Sequence, residues 1–502
     1  MEMRHGPDSG ERLRPVMFAG TGSDVGKSVI AAAFCRILRQ DGWHPAPFKA
    51  QNMALNSFVT PDGLEIGRAQ AAQAEAAGIE CHTDMNPVLL KPSSDHTSQV
   101  VLNGRPAGNR SAREYFRQEG RGDLWKAVCS AYDRLSARYN PIVMEGAGSV
   151  SEINLRDRDI VNMPMAEYAG AAVILVADID RGGVFASVYG SVMLQEEKFR
   201  KLIKGVIINK FRGDISLFDD GRRILEELCG VPVLGVVPYL RDVHIEDEDS
   251  VSLEGRRRST EAGKVNVAVV LLRRMSNFTD FDALEHDPRV NLFYTDNPAQ
   301  LRMADIIILP GTKSTIADLD GIRRNGTAAA VQEAARKGTV VLGICGGYQM
   351  LGEEVCDPDH VEGPQERMPG LGLLPVRTTM SGEKVTRRRK FTLCEDGSDC
   401  NGYEIHMGQT VRTSDEGCGY MAVMEDGTPE GCRKGQVMGT YLHGILDNRA
   451  FADLLIRRFS TAVNAEGMDY QTFKQQQYDL LAEHVRNSID MDRFYRILRS
   501  HD

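Results

Sequence analysis

Gly20–Ser28, read G-T-G-S-D-V-G-K-S, constrains the fold of this chain more than any other stretch. An apolar run, Val16-Met17-Phe18-Ala19, leads into it. A helical pattern follows, with Val29, Ile30, Ala33, Phe34, Ile37 and Leu38 on one face and Gly42 at the stop. Strand, glycine-rich turn, Lys-Ser and helix make a phosphate cradle, because backbone N–H groups and the helix N-terminus point at phosphate oxygens. Lys27 reaches the outer phosphates, and the Ser28 hydroxyl is placed for Mg²⁺. The usual spacing would put glycine at position 21, which is Thr21. Glycines stand at Gly20, Gly22 and Gly26, so the loop counted from Gly20 is one residue longer. A nucleotide is the expected ligand.

A chain of 502 residues is too long for one core and predicts two or more domains. Its net charge of −10 argues against nucleic acid as the main partner, so a polyanionic substrate must be met by a local basic patch. The ten cysteines form no C-x-x-C pair and no metal-type spacing, and read as small buried hydrophobes of a reducing cytoplasm. No apolar run reaches membrane-span length, so no membrane partner is expected. Residues 1–14 lack an apolar stretch and read as a disordered leader rather than a signal peptide.

Residues 15–240 read as a series of strand–helix units, hence a doubly wound parallel sheet. Phe48-Lys49 ends a second strand. Lys49 there either adds charge near a phosphate or is a surface lysine. Glu65–Ala77 reads as helix, Asn86–Pro92 as a strand or loop at the substrate mouth, Gln99–Leu102 as strand and Ser111–Tyr139 as mostly helix. Ile142-Val143-Met144 is a buried strand followed by Glu145-Gly146-Ala147-Gly148-Ser149. A carboxylate at that strand end, opposite a phosphate loop, suits Mg²⁺. The continuous apolar strand Val173–Ala177 runs into Asp178-Ile179-Asp180-Arg181-Gly182-Gly183, a second candidate ligand loop. After Gly205–Ile208, Asn209-Lys210 either reads an adenine edge or forms a plain surface loop. Val231–Pro238 closes the series.

Residues 241–264 are charged, with little apolar periodicity, and read as a linker. Strands restart over 265–502 at Val265–Leu272, Val290–Tyr294 and Ile306–Leu309. Val340–Leu351, V-V-L-G-I-C-G-G-Y-Q-M-L, then sets Cys345 on a tight strand-to-helix turn among glycines. That is the design of a nucleophile elbow: the helix N-terminus favours the thiolate, and local N–H groups can hold an oxyanion. Its base is His443, in G-T-Y-L-H-G, or His406, in G-Y-E-I-H-M-G, and spacing does not choose between them. The last fifty residues or so read as amphipathic helices that cover a sheet.

G-I-C-G-G-Y-Q resembles the C-x-G-x-Q elbow of triad-type glutamine amidotransferases. The resemblance implies a flavodoxin-like second domain in which Cys345 attacks the glutamine amide and His443 activates it. Gly347 and Gln349 would then hold L-glutamine, and Gly311 would lie in the oxyanion loop. The usual H-x-E is missing, since Ile445 stands two after His443, so a third member must come from elsewhere. The first half resembles dethiobiotin synthetase, with its elongated phosphate loop. The ordered set F-K-A-Q-N-M-A-L-N-S, E-I-G-R-A-Q, N-P-V-L-L-K-P, E-G-A-G-S, D-I-D-R-G-G-V-F-A, I-N-K-F-R-G-D, S-N-F-T-D-F-D, G-Y-E-I-H-M-G and G-T-Y-L-H-G resembles the cobyric acid synthases.

That resemblance implies ATP-dependent amidation of four carboxylates, b, d, e and g, of adenosylcobyrinic acid a,c-diamide through acyl phosphates. Ammonia would come from Cys345 through a dry passage. Ser28 and Glu145 would hold Mg²⁺. Lys49, Asp178, Asp180 and Arg181 would face substrate or phosphate, and Asn209 the nucleotide. The alternatives are an a,c-diamide synthase or another ATP-dependent amidotransferase of the same architecture, a partitioning-type ATPase with a degenerate amidase domain, and a dethiobiotin-type carboxylase fused to a binding module.

Overall fold

The structure is a computed structural model that describes residues 5–92, 97–111, 121–246, 260–459 and 467–500. Two sheets dominate it. The first has six parallel strands in the order Val233–Pro238, Ile203–Phe211, Ala172–Asp178, Val16–Gly20, Ile142–Glu145, Ala46–Phe48. Its central strands are apolar throughout because both faces are covered. Met17 and Ala19 join one core and Val16 and Phe18 the other, following the two-residue alternation of a strand.

Val16 and Phe18 pack against the Lys27–Gln40 helix and against two helices from the far end of the chain, Tyr470–Ser488 and Met491–Arg499. The Phe34 and Phe494 rings meet at 4.4 Å. The sheet that the terminal helices cover is therefore the first one, and the expected second domain, 265–502, overreaches at its end. Leu481, Val485, Phe494 and Leu498 are apolar and fully buried only against Val16–Gly20 and its neighbours.

The expected leader is corrected in the same region. Within residues 5–14, Leu13 is buried, Trp43 Nε1 donates to the His5 carbonyl at 2.8 Å, and Arg499 Nε donates to Glu11 at 2.7 Å. The linker assignment fails at Glu246, which pairs with buried Arg68; residues 247–259 lie outside the described ones. Helix in the Glu65–Ala77 stretch begins only at Arg68. Glu65–Gly67 pairs with Ser57–Val59 as a ribbon, and extended Gly67 (φ −61°, ψ 139°) donates its N–H to Asn86 Oδ1 at 3.2 Å. Val88–Pro92 is a strand between Gln51–Met53 and Thr97–Leu102. Helix in the Ser111–Tyr139 stretch runs Arg121–Ser136, and residues 112–120 lie outside the described ones.

The second sheet runs Val290–Thr295, Val265–Val270, Ile306–Leu309, Val340–Ile344, Val437–Thr440, all parallel, with antiparallel Cys432–Lys434 at its edge. This is the flavodoxin-like order extended by one strand, so ligand loops gather at the carboxyl ends. A long antiparallel hairpin, Val376–Leu393 with Asp399–Arg412, passes over those ends and touches the first unit. Its Arg388 Nε donates to the Val59 carbonyl at 2.8 Å, and Tyr403 packs edge-on against Phe58. Among the described residues, no helix is long and apolar enough to cross a membrane.

Candidate active sites

The first site lies at the carboxyl ends of the first sheet. Gly20 ends its strand and Lys27 opens the helix. Gly26 is left-handed (φ 94°), and a Cβ there would fall 2.2 Å from Asn209 Nδ2, so only glycine fits between loop and strand. Asn209 donates to the Val25 carbonyl at 2.8 Å and props the loop from below. Lys27 Nζ bonds the Gly22 and Gly148 carbonyls, each at 3.0 Å, and so curls over the cradle where phosphate oxygens would replace those partners.

Glu145 is the hub beside the cradle. It accepts from Ser28 Oγ at 2.8 Å, Lys49 Nζ at 2.8 Å and Gln73 Nε2 at 2.7 Å. Burial opposes its charge, but Lys49 and these hydrogen bonds hold its carboxyl below the usual range. Ser28 and Glu145 offer two adjacent oxygens, the small protein share that Mg²⁺ takes when phosphates and water supply the rest. Among the described residues, no cluster of three or more His, Cys, Asp or Glu could hold a metal by itself. Lys49, left open by the sequence between phosphate charge and surface, is buried in this ion pair.

Around the rim, Asp178 accepts from Lys210 Nζ at 3.0 Å and Asp180 from Arg212 Nε at 2.6 Å. Arg181 stays exposed, 3.6 Å from Asp24. The two aspartates thus shape the loop through ion pairs, and Arg181, the most exposed of the three cations, also lies 3.9 Å from Asp178. A cleft of about 900 Å³ joins Lys27, Lys49, Glu145, Arg181 and, from the second unit, Phe278.

The second site stands on Cys345, at the end of Val340–Ile344. Its backbone is held at φ 53°, ψ −110°, a left-handed value that strains a non-glycine residue. Gly347 makes the turn possible, since a Cβ there would lie 2.0 Å from the Leu309 carbonyl oxygen. The Cys345 thiol points to the Ile405 carbonyl at 3.5 Å. Gly311 lies against the imidazole, with a Cβ there falling 3.3 Å from His443 Cε1.

His443 Nδ1 is 2.7 Å from Asp280 Oδ2, and the Gly444 N–H donates to the other Asp280 oxygen at 2.9 Å. Among the described residues, His443 Nε2 has no hydrogen-bond partner. Burial disfavours a charged imidazole, yet Asp280 and the adjacent Cys345 sulfur raise the His443 pKa to about 10. The Cys345 thiol, the His443 imidazole and the Asp280 carboxylate thus come together from positions far apart in the chain, an arrangement that suits a thiol nucleophile with its base. His406 is set aside: its Nδ1 meets the Gly408 carbonyl at 3.1 Å and its ring stacks on Tyr441.

Gln349 is fully engaged. Thr315 Oγ1 donates to its oxygen at 2.8 Å, and its nitrogen donates to Tyr441 Oη at 3.1 Å and to the Met407 carbonyl at 3.4 Å. Contact with a substrate would exchange one of these bonds. Asp280 is the residue that motif spacing missed. It lies in S-N-F-T-D-F-D, on a 3₁₀ turn over Phe278–Phe281 that also touches the first unit. Ser57 N–H donates to Asn277 Oδ1 at 3.0 Å and Phe278 N–H to Asn56 Oδ1 at 3.2 Å.

Residues 16–253 match the CobQ/CobB/MinD/ParA nucleotide binding domain, and residues 266–451 the CobB/CobQ-like glutamine amidotransferase domain. The chain is 64% identical over 493 residues to a cobyric acid synthase of Bacteroides fragilis, covering 98% of this chain and 100% of that one. It is 63% identical to one of Phocaeicola vulgatus, over 98% and 100% of the two chains. A third, of Syntrophobacter fumaroxidans, is 49% identical over 97% and 99%.

Proposed function

Because the chain belongs to the cobyric acid synthase family, we propose that it amidates the b, d, e and g carboxylates of adenosylcobyrinic acid a,c-diamide with ammonia drawn from glutamine. One observation carries the reaction type: a thiol–imidazole–carboxylate set and a phosphate cradle stand in one chain and meet along one loop.

At the second site the Cys345 sulfur adds to the glutamine amide carbon, with His443 taking and returning the proton and Asp280 holding the ring. Ammonia leaves, and water hydrolyses the thioester to glutamate. At the first site an acceptor carboxylate attacks the γ-phosphorus of ATP, giving an acyl phosphate and ADP. Ammonia then displaces phosphate and leaves the amide. Lys27 neutralises charge on the transferring group, and Lys49 keeps Glu145 ionised. Bound at Ser28 and Glu145, Mg²⁺ would supply further neutralisation of the phosphates.

The test is mass spectrometry of adenosylcobyrinic acid a,c-diamide incubated with protein, ATP, Mg²⁺ and glutamine, beside a Cys345→Ala variant given glutamine or ammonium. Four amidations by the parent protein, and by the variant only with ammonium, are expected. No amidation of this corrinoid under any supply would overturn the substrate assignment.

A further inference from the structure

Lys313 and Glu362 flank the second site without being part of the Cys345 set. Lys313 lies two residues beyond Gly311, half-buried, with its backbone fixed by a 3.0 Å bond to the Arg274 carbonyl. Among the described residues its ammonium makes no hydrogen bond or ion pair. Burial and the nearby Lys91 push its pKa down, while Glu362, Glu65 and Cys345 pull the other way. A half-buried cation near a catalytic thiol, with no anion in contact, is costly unless a ligand brings one.

Glu362 is the complementary case. Asp357 clamps its loop through the N–H groups of Val361 at 2.7 Å and Glu362 at 2.9 Å. The Glu362 carboxylate accepts from the Ile316 N–H at 3.2 Å and faces the Thr315 hydroxyl at 3.2 Å. That hydroxyl has one hydrogen, and Gln349 Oε1 is nearer at 2.8 Å, so Glu362 Oε1 is left short of a donor. Burial raises the Glu362 pKa to about 7, as befits a carboxylate lacking a cation. Lys313 and Glu362 influence each other electrostatically, yet no ion pair joins them among the described residues.

We propose that Lys313 and Glu362 read the amino-acid end of glutamine, Lys313 receiving the α-carboxylate and Glu362 the α-ammonium. The γ-amide then lies toward Cys345, Gly311 and the Gln349 shell. Thr315, touching both Gln349 and Glu362, ties the two ends of the pocket together. Recognition by two opposite charges selects a free zwitterion over glutamine within a peptide and over simple amides. This inference rests on the glutaminase reading of Cys345.

Alkylation of Cys345 by 6-diazo-5-oxo-L-norleucine, which carries the amino-acid end of glutamine, tests it in the full chain. Iodoacetamide, which lacks that end, is the reference, and peptide mass spectrometry follows labelling at Cys345. Glu362→Gln and Lys313→Met are each expected to slow diazoketone labelling at low reagent by about 10-fold or more, with iodoacetamide labelling little changed. Glutamine KM should rise while kcat holds. A Glu362 that merely caps the Thr315–Arg324 helix would lower melting temperature and leave the ratio of the two labelling rates as it is, which would overturn the proposal. Should one variant not fold, the other decides by the same ratio. Failure of the diazoketone to label Cys345 in the parent protein would overturn the glutaminase reading, and this inference with it.

Discussion

Asp280 Oδ2 lies 2.7 Å from His443 Nδ1 although 163 residues separate them in the chain. The acid that orients the imidazole is thus delivered by the same short turn that bonds Asn56 and Ser57 of the first unit. The Cys345 site and the phosphate cradle thus share a wall.

Replacing Asp280 with Asn should leave the imidazole badly held and lower its pKa. Glutamine-dependent amidation is expected to fall by about 100-fold or more, largely in kcat, by analogy with loss of the orienting carboxylate in other triads. Amidation supported by ammonium should persist. Steady-state rates with the two nitrogen sources check it, and equal losses with both would discard Asp280 as a third member.

Lys27→Ala should give the opposite pattern to Cys345→Ala. With no cation curled over the cradle, amidation is expected to vanish with ammonium as well as with glutamine. Product mass spectra under both supplies decide it; a variant that still amidates with ammonium would remove Lys27 from phosphoryl transfer.

Loss of the Asn277–Ser57 bond should loosen the shared wall. In Asn277→Ala, glutamate formed per amide made is expected to rise above one, because cleavage no longer waits on the first site. Parallel assays of glutamate and amide measure the ratio, and a value unchanged from the parent protein counts against coupling through this loop.

Acid should weaken the seam around Glu246. Burial opposes its charge, but Arg68 and then Lys474 depress its pKa to about 2. A depressed carboxylate contributes stability that is complete above its unfolded value of about 4.5 and is lost as pH falls toward 2. Glu246→Gln should therefore melt lower at neutral pH and show less acid sensitivity between those values. Thermal melts across pH give the answer, and parallel curves for the two proteins would refute it.

Gly347→Ala should break the elbow, since the new methyl would sit 2.0 Å from the Leu309 carbonyl oxygen. Overpacking of this kind costs about 1–3 kcal/mol or more, so a lowered melting temperature together with loss of glutamine-dependent activity is expected. Retention of both would show that the strand can give way.

The parts of both sites that were legible in sequence are those built from contiguous residues. The cradle Gly20–Ser28, the strand ends at Glu145 and Asp178, and the Cys345 elbow each need a strand, a tight turn and a helix in succession, and periodicity reveals all three. Asp280 was hidden because an orienting acid needs only to arrive in space, and its signal was a turn motif without period. Glu65 read as helical from the alanine-rich run after it, but its side chain sits between Lys91 and Lys384 of the two units, a placement tertiary packing alone decides. Asn209 looked ready for a nucleotide edge, and only the closeness of Gly26 shows that it holds up the loop.

The two terminal helices close on a sheet whose first strand left the ribosome some 450 residues earlier. Until Leu481, Phe494 and Leu498 emerge, Val16, Phe18 and Phe34 lack the side chains that cover them. Because domains ordinarily fold as the chain appears, the nucleotide-binding half is kept unfinished while the amidotransferase half is made. The order is one-sided: the second sheet and its helices are complete by Ile456, whereas the first sheet waits for Tyr470–Arg499, so the nucleotide-binding half is never finished before its amidotransferase partner has been made.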